Sequence, residues 1–130
     1  MPPAQPSPCP RCDGLTPDQA DQLAIIGGSH LPYSEPYGEL RQCASCGAWF
    51  RYTRDHDNEI GYVADAPSLD WLDREQARAL AAAATAVAQR QLAHFATRDD
   101  DYGRRCAADY ADELARLTAV ITALAAPATP

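Results

Sequence analysis

The sequence predicts a small α+β fold, in which a cysteine-containing N-terminal half with a short β-hairpin precedes a C-terminal antiparallel αα-hairpin. Four of the five cysteines form two Cys-x-x-Cys pairs. Aromatic and β-branched residues follow the second pair, as is typical of a strand. After residue 67 the chain becomes rich in alanine and leucine, with apolar residues at helical spacing. We therefore expect a flexible tail (residues 1–8), followed by a half that contains the paired cysteines (9–66) and a helical half (67–130). The two halves are expected to pack as one compact unit.

Between the two cysteine pairs the sequence predicts a short helix and a short strand. Thr16 and Gln19 can form a capping box, and Pro17 suits the first helical position. The helix is expected to continue through Ile26 and to stop at the two glycines that follow. Residues 37–42 are then expected to form a strand that leads into the second cysteine pair.

The second cysteine pair is followed by the predicted hairpin. Residues 48–54 contain aromatic and β-branched side chains and are expected to form a strand. Residues 55–59 are polar and turn-like, and residues 60–63 are expected to return as the partner strand. Residues 68–72 are interpreted as a connecting turn. Its large apolar residues would dock the helical half: Leu69, Trp71 and Leu72.

Two amphipathic helices are predicted in the C-terminal half. Asp73 can cap the first, with Gln76 at the capping-box position, and this helix is expected over residues 74–96. Five residues recur along it at helical spacing: Leu80, Ala84, Val87, Gln91 and Phe95. A second helix is expected over residues 100–126, ended by Pro127. Its apolar stripe has intervals of three and four residues and consists of Cys106, Tyr110, Leu114, Leu117, Ile121 and Leu124.

The paired cysteines are predicted to bind one metal ion: Cys9, Cys12, Cys43 and Cys46. Both sulphurs of a Cys-x-x-Cys turn point toward the same ion, and four thiolates suit a tetrahedral Zn²⁺. Gly14 and Gly47 follow the two pairs, where glycine accepts the left-handed backbone that such a turn needs. Because four protein ligands leave no open coordination position, the sequence predicts one structural zinc ion rather than a catalytic one.

These two pairs resemble the knuckles of the zinc-ribbon class, with Cys-Pro-Arg-Cys at residues 9–12 and Cys-Ala-Ser-Cys-Gly at residues 43–47. The resemblance covers about residues 9–65. It implies structural zinc but no particular function, because zinc ribbons occur in nucleic-acid machines, chaperones and adaptors alike. Rubredoxin-like iron sites use similar pairs. Zinc is favoured over iron, because aromatic residues follow only the second pair and the first pair lacks an immediate glycine.

A candidate partner surface lies on the strand after the second knuckle and on the polar turn beyond it. It consists of Trp49, Arg51, Tyr52, Arg54, Asp55, His56, Asp57 and Glu59. Aromatic residues and arginines together can bind single-stranded nucleic acid by stacking and ion pairing. Alternatively, the aromatic rings pack on the helices and the arginines pair with nearby carboxylates. The acidic balance of the chain favours this second interpretation.

The charge and the absence of targeting patterns narrow the function classes. The formal net charge is −7, so a protein partner or a homodimer is expected and nucleic acid is disfavoured. No apolar run approaches the roughly 20 residues that span a bilayer, and the first residues lack a signal-peptide pattern. We therefore expect a cytoplasmic protein that does not bind membranes.

No set of residues has the pattern of an active site, and no catalytic residue is assigned. The expected function is a non-enzymatic, zinc-stabilised protein-interaction module, such as an adaptor, an immunity-type protein or a regulatory protein. The alternatives are a nucleic-acid-binding zinc ribbon and a redox- or metal-responsive protein. Cys106 lies on the apolar stripe of the second helix and is interpreted as a small hydrophobic residue, with a redox thiol as the alternative.

Overall fold

The computed structural model describes residues 9–28, 38–53 and 68–125 of the chain. A 3₁₀ helix, Pro17–Gln22, precedes four strands and two α-helices. The strands are β1 (Ala24–Gly27), β2 (Glu39–Gln42), β3 (Trp49–Thr53) and β4 (Ser68–Leu72), and the helices are α1 (Arg74–Ala96) and α2 (Asp101–Ala125). The predicted α+β fold with a C-terminal helical pair is confirmed.

The four strands form one antiparallel sheet in the order β1-β2-β3-β4. The cross-strand pairs Gln42↔Trp49 and Trp49↔Leu72 place these three residues on the same face. The pairs Arg41↔Phe50 and Phe50↔Trp71 belong to the opposite face. The sheet therefore has two separate apolar faces, and each is covered by a different part of the chain.

The two helices cover one face of the sheet and enclose what we call the helix-side core. They run antiparallel, and the Arg74 guanidinium at the start of α1 donates to the Leu124 carbonyl near the end of α2, with Nε at 3.1 Å. The helix-side core consists of Ile26, Leu40, Trp49, Leu72, Ala77, Leu80, Ala81, Ala84, Ala88, Tyr110, Leu117, Val120 and Leu124. The buried alanines of α1 keep its backbone close to α2, because they leave no long side chain between the helices.

The opposite face is covered by the 3₁₀ helix and the first cysteine turn, which enclose what we call the metal-side core. Its buried members are Cys12, Leu23, Cys43, Ala48 and Phe50. Leu15 and Leu69 pack against them, together with the remaining two paired cysteines. The sheet thus separates a helical layer from a layer that carries the four paired cysteines.

The outer edge of β1 is closed by side chains of α2. Arg116 Nε donates to the Ile26 carbonyl at 3.0 Å, and the buried carboxylate of Glu113 accepts from Gly28 N at 3.3 Å. These bonds satisfy backbone groups that an edge strand would otherwise leave open to another chain. The edge of β1 is therefore blocked by the protein's own helix.

The prediction of a helix continuing through Ile26 is wrong. The capping signal is real, since Thr16 N donates to Gln19 Oε1 at 3.0 Å, but the helix that it starts is 3₁₀ and ends at Gln22. The chain then becomes β1, in which Ala24 pairs with Gln42 and Ile25 with Arg41. Two adjacent β-branched residues and an available partner strand outweigh the local helical signal.

The interpretation of residues 68–72 as a turn is also wrong, because they form β4 and pair with β3 from Trp49↔Leu72 to Thr53↔Ser68. Successive side chains of a strand point to opposite faces of the sheet, and these residues follow that pattern. Leu72 is buried in the helix-side core, Leu69 packs on the metal-side core, and Trp71 is 41% exposed. Leu69 and Leu72 thus do join the two halves. The predicted strand over residues 60–63 lies outside the described residues.

The two helices agree with the prediction to within one residue at each end. α1 begins after Asp73, whose Oδ1 accepts from Gln76 N at 2.8 Å, while Asp73 N donates to Gln76 Oε1 at 2.9 Å. α2 begins after Asp100, whose Oδ1 accepts from Gly103 N at 2.7 Å. Among the described helices, neither has a stretch long and apolar enough to cross a bilayer.

Candidate metal centre

The first cysteine pair lies in a tight turn before the 3₁₀ helix. Cys12 N and Asp13 N both donate to the Cys9 carbonyl, at 3.0 and 2.8 Å, which folds the chain back at the first sulphur. Gly14 follows with a φ of 80°, the left-handed conformation that glycine accepts without strain. Leu15 N then donates to the Cys12 carbonyl at 3.3 Å, and this completes the turn.

The second cysteine pair forms the connection between β2 and β3. Cys43 N donates to the Ala48 carbonyl at 3.0 Å, and Gly47 N donates to the Cys43 carbonyl at 2.9 Å. Gly47 has a φ of 81°, so both predicted glycine positions are left-handed. The second turn is thus fixed by the pairing of the two central strands, and it faces the first turn.

The sulphurs of the two turns lie close enough to be ligands of one ion. Cys9 Sγ is 3.8 Å from Cys12 Sγ and 3.8 Å from Cys43 Sγ, and Cys12 Sγ is 3.5 Å from Cys46 Sγ. All four sulphurs lie within 4.8 Å of one another. A tetrahedral ion with metal–sulphur bonds of about 2.3 Å requires sulphurs about 3.8 Å apart, so the residues fit a four-coordinate metal.

The centre is built into the metal-side core rather than placed on the surface. Cys12 is 1% exposed and Cys43 is 5% exposed, while Cys9 and Cys46 are half-buried. Leu23 and Phe50 are buried in the same cluster. A metal held here joins the chain before the 3₁₀ helix to the turn between the central strands.

Backbone N–H groups favour the thiolate form of the first cysteine in each turn. Burial alone would raise the pKa of Cys43, but the N–H groups of Cys46 and Ser45 outweigh it and lower that pKa to about 7. In Cys9 the N–H groups of Arg11 and Cys12 likewise outweigh burial and lower the pKa of the thiol. N–H donors directed at the sulphurs are the usual outer partners of a metal-bound thiolate.

The second cysteine of the first turn, Cys12, instead has a raised pKa when no metal is bound. Burial, and then the neighbouring Cys46 thiol, raise the pKa of Cys12 to about 12. A bound divalent cation would stabilise this thiolate directly, because a coordinating thiol is deprotonated outright. The centre therefore needs a cation to carry four thiolates at neutral pH, and four sulphur ligands leave no position for a substrate.

A groove of about 360 Å³ lies beside the centre and between the two turns. Leu15 and Leu23 form its apolar wall, and Ala44 lies on the opposite side. Arg11 Nη1 donates to Ser45 Oγ at 3.1 Å and so links the two turns. The two walls of this groove belong to the two halves of the metal centre.

The residues of the candidate partner surface do not share one environment. Trp49 is 7% exposed and belongs to the helix-side core. Arg51 is half-exposed beside Asp70, with Nη2 at 3.6 Å from Oδ2. Tyr52 is half-buried on the other face, where the Arg41 guanidinium lies 4.8 Å from its ring centroid. The other five predicted residues, Arg54, Asp55, His56, Asp57 and Glu59, lie outside the described residues.

One buried ion pair was missed by sequence reasoning. Glu39 and Arg41 on β2 are each 6% exposed, and the Arg41 guanidinium contacts both Glu39 Oε1 and the Ala20 carbonyl of the 3₁₀ helix. The only sequence signal was the two-residue spacing of opposite charges on a predicted strand, which places them on one face. Arg41 thus holds the 3₁₀ helix to the sheet on the same side as the metal centre.

The remaining cysteine lies away from this centre. Cys106 is half-buried on α2, and its thiol is the main cause of a raised pKa of the Tyr102 phenol. Among the described residues, the only group of three or more cysteine, histidine or acidic side chains placed to hold a metal is the four-cysteine centre. Comparisons of the chain with family models, with curated proteins and with solved structures gave no match.

Proposed function

We propose that this chain is a non-enzymatic protein-interaction module that a structural zinc ion holds together. The observation that carries the proposal is the position of the four sulphurs, which come from two separate turns and lie within 4.8 Å of one another in the metal-side core. An ion in this position can fold a surface but has no coordination position for chemistry. Zinc is proposed over iron because thiolate tetrahedra suit it without any redox role.

The metal is proposed to act by keeping the two walls of the neighbouring groove together. One wall contains Leu15 and Leu23, and the other contains Ala44 and Ser45. The sulphur–sulphur distances of 3.5 to 3.8 Å across the centre tie these walls to each other. We propose that a protein partner places an apolar side chain in this groove.

Two observations weigh against the nucleic-acid alternative. Trp49 is 7% exposed and cannot stack on a base in this conformation, and Tyr52 already contacts Arg41. The net charge of −7 repels a polyanion at long range. A cytoplasmic location remains part of the proposal, since four free thiols arranged for a metal suit a reducing compartment.

The first experiment is metal analysis of the full chain, purified without added chelator, followed by affinity capture from lysate of the source cell with and without nuclease. We expect one zinc per chain and one defined protein that is retained through nuclease treatment. Cys43→Ser should abolish both metal and partner. Ala44→Trp should keep the zinc but lose the partner, because it fills the groove and replaces none of the four cysteines.

A matched control for the groove variant is Ala108→Trp, which enlarges an equally exposed alanine on α2. The proposal fails if the metal-free chain keeps native hydrogen-exchange protection at Leu23 and Phe50. It also fails if all retained material is lost on nuclease treatment, because the nucleic-acid alternative would then explain the capture.

A further inference from the structure

The four cysteines of the metal centre differ in how far they are buried. Cys12 is 1% exposed and Cys43 is 5% exposed, whereas Cys9 and Cys46 are half-buried. Oxidation of cysteines follows their exposure, because the oxidant must first meet the sulphur. Cys9 and Cys46 are therefore the two positions at which a small oxidant attacks the centre most readily.

Each of these two cysteines has a second sulphur beside it. Cys9 Sγ lies 3.8 Å from Cys12 Sγ and 3.8 Å from Cys43 Sγ. Cys46 Sγ lies 3.5 Å from Cys12 Sγ. A sulphenic acid formed at either half-buried position therefore has a neighbouring thiol that can condense with it to a disulphide. Cys12 is the neighbour that both positions share.

The backbone favours closure within the first turn, between Cys9 and Cys12. Cys12 N donates to the Cys9 carbonyl at 3.0 Å. This is the hydrogen bond of a β-turn, which keeps the first and last Cα atoms less than about 7 Å apart. A disulphide usually joins residues whose Cα atoms are about 4.4–6.8 Å apart. The spacing that the disulphide needs is thus set inside the turn and does not require an ion.

The competing closure, between Cys12 and Cys46, joins two separate turns. Their sulphurs are 3.5 Å apart, and an ion bound to all four cysteines is what would keep them at this distance. Besides the sulphurs, an exposed hydrogen bond of 3.1 Å from Arg11 Nη1 to Ser45 Oγ links the two turns. Oxidation of one thiolate removes a ligand, because the thiolate is the form that binds metal. The turns can then separate, which disfavours the cross-turn disulphide but not the one within the first turn.

We propose that the four-cysteine centre is a redox switch, in which a peroxide joins Cys9 to Cys12 and thereby releases the metal. The Cys9 thiolate attacks one peroxide oxygen, which breaks the O–O bond, forms a sulphenic acid and expels hydroxide. The Cys12 thiolate then displaces hydroxide from the Cys9 sulphur and forms the disulphide. Two electrons pass from the two thiolates to the peroxide, and two protons from solvent convert the hydroxides to water.

The switch rests on the proposed function, in which the ion keeps the two walls of the groove together. After oxidation the second turn alone supplies thiolates, and two ligands do not complete a tetrahedron. The wall that contains Leu15 and Leu23 then loses its link to the wall that contains Ala44. We therefore expect oxidation to release the partner, and a thiol reductant to reverse the change by exchange with the disulphide.

The identity of the disulphide decides the direction of this response. A bond between Cys12 and Cys46 would replace the ion as the link between the two turns and would keep the groove intact. A bond between Cys9 and Cys12 leaves the turns unlinked. Mapping the first disulphide therefore tests the switch directly.

The test exposes the zinc-loaded full chain to hydrogen peroxide and follows zinc release with a chromogenic chelator. Remaining thiols are then blocked with N-ethylmaleimide, and the chain is digested with trypsin. Cleavage after arginine separates the paired cysteines into three peptides: 1–11 with Cys9, 12–41 with Cys12, and 42–51 with Cys43 and Cys46. We expect the first two peptides to become joined in step with the loss of zinc. Dithiothreitol should restore both the thiols and zinc binding.

Two matched variants each replace one sulphur and keep four ligands. Cys9→His and Cys46→His both leave three thiolates and one imidazole, a set that binds zinc, and their zinc content is measured before oxidation. Peroxide should release zinc from Cys46→His through the same disulphide as in the unmodified sequence. Cys9→His should lose its zinc severalfold more slowly. Cys106→Ser removes a cysteine that lies outside the centre and should change neither result.

The outcomes separate the switch from the proposed function. Zinc content and hydrogen-exchange protection before oxidation test the structural role of the ion, and these measurements do not involve peroxide. The switch is overturned if peroxide releases no zinc, or if the first disulphide joins any pair other than Cys9 and Cys12. It is also overturned if Cys9→His loses its zinc as fast as Cys46→His.

Discussion

The contact between Gly27 of β1 and Leu117 of α2 allows a quantitative test of the packing. A Cβ added at Gly27 would lie 2.9 Å from Leu117 Cδ2 and 3.0 Å from both Cδ1 and Cγ. Gly27 is not among the glycines with positive φ, so its backbone accepts any L-residue. Position 27 therefore needs a glycine because of the contact with Leu117, and not because of its backbone conformation.

The expected free energies follow from this geometry. Leu117 is 0% exposed in the helix-side core, so Gly27→Ala should cost about 1–3 kcal/mol as overpacking. The smaller entropy of the unfolded alanine chain offsets about 0.4–1 kcal/mol of that cost. Leu117→Ala alone should cost about 2–5 kcal/mol, the range for a buried leucine.

The double variant is the decisive measurement, because the shortened residue 117 leaves room for the new methyl group. Gly27→Ala with Leu117→Ala should cost about 1–2 kcal/mol less than the two single changes added together. Urea unfolding of the four proteins under excess zinc measures this coupling. The half-buried Leu114 supplies the control, since Leu114→Ala should add to Gly27→Ala within about 0.5 kcal/mol. A Gly27→Ala change that stabilises the protein, or full additivity with Leu117→Ala, refutes the contact.

Three further outcomes are expected. Asp73→Ala should cost about 1 kcal/mol in urea unfolding through loss of the α1 cap, whereas Asp99→Ala, which alters an exposed carboxylate, should cost almost nothing. The hydrogen bond from Arg98 holds the pKa of Asp100 below its ordinary value. The contribution of this carboxylate to stability is therefore complete above about pH 4 and is lost as pH falls through the lowered pKa. An NMR titration should show that the pKa of Asp100 rises in Arg98→Gln. Gly47→Ala should weaken zinc binding in a competition assay, because a left-handed alanine costs about 1–2 kcal/mol.

The helices could be predicted closely because their signals are local. Asp73 and Gln76 mark the start of α1 within one turn of chain, and the stripe from Tyr110 to Leu124 repeats inside α2. β1 and β4 could not be predicted, because their signals lie in other strands. Ile25 is extended because it pairs with Arg41 of β2. Trp71 is extended because it pairs with Phe50 of β3. Neither partner can be identified from the residues next to it.

The clustering of the four paired cysteines could be predicted for the same reason as the helices. Each Cys-x-x-Cys turn is complete in four residues, and the need for four ligands connects Cys12 with Cys46 without any knowledge of the fold. The buried pair of Glu39 and Arg41 depends instead on which elements cover each sheet face. The sequence shows which residues are charged, but it does not show which of them become buried.

Strand β3 contributes side chains to the metal-side core on one face and to the helix-side core on the other. Phe50 belongs to the metal-side core, whereas Trp49 and Arg51 face the helices. Five residue pairs join β3 to β4, and none of them contains a metal ligand. Within the described residues, the helix-side core also contains no cysteine. The helix-side core therefore has stabilising contacts that do not depend on an ion at the four cysteines.

This separation predicts the order in which structure is lost when zinc is removed. Chelation should first release the first cysteine turn and the 3₁₀ helix, since the metal and the contacts of Arg41 are what hold them to the sheet. Hydrogen exchange should then show early loss of protection at Ala20 and Leu23. Hydrogen-exchange protection at Leu117 should persist over the same range of chelator, because β3, β4 and α1 remain packed through the helix-side core. Simultaneous loss of protection at both places would show instead that the two cores fold as one unit, and that the ion stabilises the helix-side core through β3.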